Sequence, residues 1–352
     1  MRRLILTLIF SLFFASPLLA PLMAQVAPSP DAPPGGGDDS SQEPQLHTGQ
    51  PVTTFKVGTN LVNLYFVVRD KRGALIPNLT KDACVVYEDN VKQEIKNFSA
   101  QTDLPLTLGI LLDTSLSQMR VLPMEQQTGD AFLKRVMRPK DEAFLISFDV
   151  NVDLMADFTS NANEIAHAMN KAQINSNTGN YANGTIPNVG KPKGTVLYDA
   201  VYLASNDKLS HESGRKALIL LTDGQDEGSD ENIHSAIESA QKADAINYVL
   251  LISDPGAYGM FAYSGAGAMH QLADATGGQV FSIGSNGNKM EGAFEEIESE
   301  LRTQYLLSYT PINKKMDGSY RKIRVQCSQN GQPLRVQARQ GYYAIAHDDT
   351  GQ

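Results

Sequence analysis

P-L-T-L-G-I-L-L-D-T-S-L-S, residues 105–117, decides the fold. Its first part is apolar at nearly every position, so a strand here buries both faces, as strands inside parallel sheets do. The run stops at Asp113 and turns polar. Downstream, helical and strand-like stretches alternate. Spacing predicts helices over 124–137, 161–173, 196–208, 231–242, 268–275 and 289–302, and strands over 143–148, 217–222, 247–253 and 279–283. Strands buried on both faces and alternating with amphipathic helices predict an α/β unit over 105–303, with an open, doubly wound, mostly parallel sheet.

Outside that unit the period changes to two. Residues 61–69 (L-V-N-L-Y-F-V-V-R), 84–88 (C-V-V-Y-E) and 91–98 read as strands divided by the turn signals D-K-R-G and E-D-N. Residues 304–310, 320–326, 334–338 and 341–344 read as strands too. Neither group has a covering layer of its own, so 52–104 and 304–345 are expected to pool into one β-sandwich-like domain carrying the α/β unit as an insertion. Residues 346–352 are left as a tail.

The chain opens M-R-R-L-I-L-T-L-I-F-S-L-F-F-A, two arginines before an apolar run that closes on small residues and prolines. This is the pattern of a secretory signal peptide over 1–24, with cleavage expected after Ala24. Pro17 and Pro21 interrupt the run before it comfortably spans a bilayer, so the mature chain is not expected to insert in a membrane. Residues 25–51 are rich in Pro, Gly, Ser and Asp and read as a flexible linker. The expected location is secreted or periplasmic. Hydrophobic residues make up 41% of the chain, enough for a substantial core. The formal net charge is −9, and two units more negative without Arg2 and Arg3. Phosphate backbones would be repelled, which excludes nucleic acid as a partner class.

Three loops carry the chemistry. Asp113 ends the first strand, and Ser115 and Ser117 follow at two-residue steps; L-T-D-G delivers Asp223 from a second strand end; G-T-V-L-Y-D-A puts Thr195 at the mouth of a helix. Ligands of open α/β folds sit outside such strand ends. Two carboxylates and three hydroxyls make a hard oxygen cage suited to Mg²⁺, with Mn²⁺ or Ca²⁺ as alternatives. So few carboxylates leave a coordination position for an acidic group from a partner. D-x-S-x-S by itself also serves at strand ends and helix caps for structural reasons, and only the three pieces in order favour a site. Asp226, Glu227 and Asp230, just beyond, read either as groups supporting the site or, the preferred reading, as the solvated start of a helix.

D-T-S-L-S, G-T-V-L-Y-D-A and L-T-D-G resemble the metal-ion-dependent adhesion site (MIDAS) of von Willebrand factor A domains. The resemblance covers about 105–302 and implies Asp113, Ser115 and Ser117 as first-loop ligands, Thr195 as the second-loop ligand and Asp223 as the third-loop ligand. The flanks V-V-R-D-K-R-G-A-L-I-P-N-L and Q-Y-L-L-S-Y-T-P are similar to those of an acidobacterial-type subfamily of exported proteins. The Asn/Gly-rich loop at 176–194 departs from the family pattern and leaves the rim of the site undefined. The resemblance implies a non-enzymatic adhesion module that grips an acidic residue of a protein ligand through a divalent cation. Two alternatives remain: a scaffold whose ion only braces the fold, and a Mg²⁺-dependent hydrolase. Against catalysis, the chain has no P-loop, no H-E-x-x-H and no G-x-S-x-G elbow. Phosphotransferases of the dehalogenase type need a second carboxylate where Ser115 stands.

Cys84 and Cys327 fall on strands assigned to one sandwich, and by alternation both point inward. An exported chain meets an oxidising compartment, so a disulfide between them is one reading and two buried thiols the other.

Overall fold

The computed structural model describes residues 61–100, 104–175, 194–252 and 265–345. The segments expected to be a signal peptide, linker and tail, and nearly all of the loop at 176–194, lie outside the described residues.

The elements follow in chain order. First come β1 (Val62–Arg69), β2 (Cys84–Glu88), β3 (Val91–Gln93) and β4 (Ile95–Ala100). The α/β unit then runs β5 (Leu106–Asp113), α1 (Leu122–Val136), β6 (Glu142–Phe148), β7 (Val152–Thr159), α2 (Ala162–Lys171) and α3 (Leu197–Leu203). It continues with β8 (Arg215–Thr222), α4 (Ile233–Lys242), β9 (Ala245–Leu251), α5 (Ala266–Thr276), β10 (Val280–Ser282) and α6 (Gly287–Arg302). Last are β11 (Tyr305–Tyr309), β12 (Tyr320–Gln329), β13 (Gln332–Pro333), β14 (Arg335–Ala338) and β15 (Gly341–Tyr343). No helix among the described residues is long and apolar enough to cross a membrane.

The central sheet has strand order β10-β9-β8-β5-β6-β7. All neighbours are parallel except β6 and β7. Numbered within this sheet alone, that is the doubly wound order 3-2-1-4-5-6, and its direction of travel reverses between β5 and β8. Every residue of β5 is buried, and Asp113 ends it fully enclosed. Gly109 has a packing reason: a Cβ there would meet Leu218 Cδ2 and Phe144 Cζ at 2.4 Å, so glycine lets the neighbouring strands close over β5. Apolar clusters cover both faces of the sheet. One gathers Ile110, Leu112, Phe132, Ile219 and Phe294; the other gathers Leu111, Phe144, Leu197, Leu220 and Leu272. Asparagines start three helices: Asn161, Asn232 and Asn286 accept from the first backbone N–H groups of α2, α4 and α6.

Strands from both sides of the α/β unit share two antiparallel sheets. One has order β14-β1-β11-β4, and in the other β12 pairs with β2, β13 and β15. Leu64, Phe66, Val86, Leu307 and Tyr309 lie in the apolar layer they share. The expected fold class holds. Register sets Cys84 opposite Cys327, their Cα atoms are 4.1 Å apart, and the two form a disulfide.

Two differences have physical causes. β7 was not expected: V-D-L-M-A-D-F-T is a half-exposed edge strand, hairpinned antiparallel onto β6, and carries no apolar run to announce it. The helix expected over 196–208 is regular only to Leu203 and finishes as a wider π turn over Ala204–Leu209.

Candidate functional site

Asp113 and Asp223 lie on the two strand ends that flank the reversal point of the central sheet. That crevice is where open α/β folds place ligands. Both side chains stay close to the backbone that delivers them. Asp113 Oδ1 accepts from Ser115 N at 3.0 Å, and Oδ2 accepts from Thr222 Oγ1 at 2.7 Å, which ties the end of β5 to the end of β8. Asp223 Oδ1 accepts from Gln225 N at 2.9 Å. Gly224, with φ +81°, turns the chain directly after Asp223, and its N–H donates to Thr222 Oγ1 at 3.0 Å. Ser115 Oγ and Ser117 Oγ are 2.9 Å apart.

The second loop is drawn in by backbone. Thr195 O accepts from Glu227 N and Gly228 N at 3.0 and 3.1 Å, and Val196 N donates to Asp149 O at 2.8 Å. Asp113, Ser115 and Ser117 are thus joined by hydrogen bonds, Asp223 directly follows the Thr222 that donates to Asp113, and Thr195 is tied by main-chain bonds to the loop beyond Asp223.

Four groups outside the five expected residues shape the crevice. Asp149, at the end of β6, accepts from Thr114 Oγ1 and Asn175 Nδ2, both at 2.9 Å, and so organises the first loop from behind. Asp226 corrects the sequence reading: it is half-buried and accepts from Tyr198 N at 3.0 Å and Ser229 Oγ at 2.5 Å, pinning the start of α3 to the third loop. It is no part of a solvated helix start, since α4 begins only at Ile233. Gln118 and Glu125 complete the set. Both are buried, at 1% and 0% exposure. A Gln or Glu near a helix start carries no sequence signal of burial, so these two were not legible.

The electrostatics of this cluster are uncompensated. Burial pushes the Asp113 carboxyl up to about 7, and the Asp223 charge adds to it against the hydrogen bonds from Ser115 and Thr222. Burial, then the charges of Asp113 and Asp223, hold the Glu125 carboxyl well above its ordinary range. Asp223 Oδ2, Gln118 Oε1 and both Glu125 oxygens are buried acceptors with no hydrogen-bond partner among the described residues. Such orphaned acceptors are costly, and clustered ones call for a cation. Among the described residues no three His, Cys, Asp or Glu side chains converge on one point. Hydroxyls and water would therefore have to complete any coordination sphere. Two aspartates with Ser and Thr hydroxyls fit a hard, oxygen-seeking divalent cation in that respect, and offer no soft donor.

No protein-family profile matches the sequence, and no curated protein matches it. Solved structures do resemble it in shape. Conserved hypothetical protein BatB from Bacteroides thetaiotaomicron is 16% identical over 55% of this chain and 98% of its own, with a TM-score of 0.42. Proximal thread matrix protein 1 from the mussel byssus, with a zinc-occupied MIDAS motif, is 15% identical over 59% of this chain and 49% of its own, with a TM-score of 0.45. The VWA domain of SpRpn10 is 13% identical over 55% of this chain and 95% of its own, with a TM-score of 0.38.

Proposed function

We propose that the chain is an exported, cation-dependent protein-binding module. Asp113, Ser115, Ser117, Thr195 and Asp223 hold one divalent ion, Mg²⁺ first among the candidates, in a site of the MIDAS type, and an acidic side chain of a protein partner completes its sphere. The observation that carries this reading is the pair of aspartates at the reversal point of the sheet, with buried acceptor oxygens that no described side chain satisfies. Ser115 is engaged by Ser117 and not by a histidine, which suits holding an ion better than attacking a substrate. The export component rests on residues 1–24 and is tested by N-terminal sequencing of the chain recovered outside the cytoplasm.

Calorimetric titration of the full chain with Mg²⁺ and Mn²⁺ tests the site. Asp113→Ala is expected to weaken binding by at least about 100-fold, beyond the usual loss for a group that only supports a ligand. Its circular dichroism should match the wild type, because the carboxylate contributes no apolar packing. Unchanged affinity in that variant would refute the assignment.

Cation removal gives a second expected outcome. Free Mg²⁺ at a hundred times Kd should stabilise the folded chain by about 2.7 kcal/mol, and EDTA should reverse this. A melting temperature indifferent to Mg²⁺ and EDTA counts against a site that binds only the folded state. If partner capture survives EDTA while the thermal shift is present, the ion braces the fold and does not grip the ligand.

A further inference from the structure

Glu125 presents a problem of physical chemistry. It sits one turn into α1 on the face that also carries Leu122, Phe132, Leu133 and Val136, all buried. Its exposure is 0%, and neither carboxylate oxygen has a partner among the described residues. An acid near a helix start is ordinarily a cap or a surface charge favoured by the helix dipole. Here the side chain makes no cap bond, and it is closed off from water. Burying a carboxylate unpaired costs several kcal/mol, whereas Leu or Met at this position would cost nothing. The charges that act on it most strongly are those of Asp113 and Asp223, both of the same sign, which makes the arrangement worse as it stands. Gln118, whose Oε1 is also buried and unpartnered, lies beside Ser117. Backbone bonds from Val121 N to Gln118 O and from Glu125 N to Val121 O place both unsatisfied side chains on the turn that runs from Ser117 into α1.

We propose that Glu125 is a third carboxylate of the cation site, holding a metal-bound water and not the ion itself. The proposal rests on the cation reading above. Among the described residues no group of three acidic side chains could hold an ion directly, and Mg²⁺ characteristically keeps several of its waters, so a water would be the bridge between Glu125 and the ion. Through such a water Glu125 gains a charge-assisted hydrogen bond and lies within reach of the field of a divalent charge. The site then sets three carboxylates against one divalent ion. Such a site would retain a cation before any partner arrives, with Glu125 holding one of the ion's waters in place.

The test is Mn²⁺ titration of the full chain, wild type against Glu125→Gln, Glu125→Met and Glu125→Asp, with melting temperatures recorded in EDTA. Gln and Met are expected to weaken Mn²⁺ binding roughly 10- to 100-fold, the usual loss for a group that orients a ligand. Asp should recover part of that loss. In EDTA the Gln and Met variants should melt no lower than the wild type, since the unpaired acid is gone. A merely structural role would move the melting temperature in EDTA and leave Mn²⁺ affinity within about twofold, and that result overturns the proposal. So does failure of both the Gln and Met variants to fold in EDTA. Wild-type protein that binds no Mn²⁺ would overturn the cation reading as well, whereas normal wild-type binding with unaffected variants removes the role of Glu125 alone.

Discussion

Replacing Arg321 by alanine is expected to destabilise the protein by about 3–5 kcal/mol, because it leaves a carboxylate buried without its cation. Arg321 on β12 is 1% exposed and Glu88 at the end of β2 is 2% exposed, with Nη1 and Oε1 3.2 Å apart. The guanidinium also donates to the carbonyl oxygens of Asn313 and Lys315. Glu88 Oε2 accepts from Tyr309 OH at 2.8 Å and from Tyr342 OH at 3.0 Å. One carboxylate therefore ties β2, β11, β12 and β15, strands from both antiparallel sheets. In Arg321→Ala the two phenols stay, but two hydroxyl donors do not replace a buried cation. Urea denaturation checks it: the midpoint should fall sharply with little change in slope. Arg321→Met with Glu88→Leu should recover part of the loss, since it removes the uncompensated charge but leaves the Tyr309 and Tyr342 hydroxyls without their acceptor. A single variant within about 1 kcal/mol of the wild type would show that the pair is not needed.

How far the sequence speaks depends on what each residue contributes to a local pattern. β5 and β8 were legible because a strand buried on both faces must be apolar throughout, and Asp113 and Asp223 stand out as the charges that end those runs. From there the crevice follows, because an alternating order of strands and helices leaves few sheet topologies. β7 was not legible, as an edge strand needs only half its residues apolar. The pairing of β1 with β11 and β14, and of β2 with β12, joins segments more than 200 residues apart, and no local signal sets such a register. Glu88, Glu125 and Asp149 escaped for a related reason. Each reads as an ordinary acid at the end of a strand or start of a helix, and only packing against distant elements buries it. Side chains of the candidate site are thus visible from spacing, whereas the buried acids around it appear only once the chain is folded.

Reducing the disulfide between Cys84 and Cys327 is expected to lower the unfolding free energy by about 2–5 kcal/mol. The bond spans a sequence separation of 243, with the whole α/β unit inside the loop it closes. In the loop-entropy account such a closure restricts the unfolded chain by about 5 kcal/mol, which sets the top of that range. Both cysteines are 4% exposed and face each other across β2 and β12, so a reduced pair keeps its apolar contacts and loses mainly the constraint. The two sheets that bracket the α/β unit should feel this first. Without the covalent tie, β1 to β4 are held to β11 to β15 by strand pairing, the shared apolar layer, the Glu88–Arg321 network and hydrogen bonds such as those of Tyr305 OH with Ile76 O and Leu79 N. Urea denaturation with and without reductant measures the difference, and hydrogen exchange should show protection falling earlier in residues 62–100 and 305–343 than in β5, β8 and β9. Mass spectrometry of alkylated, non-reduced protein provides the independent check: a Cys84–Cys327 linked peptide and no alkylated cysteine is the expected result. Two alkylated thiols in chain recovered from an oxidising compartment would remove the bond and leave the antiparallel sheets held by their non-covalent contacts.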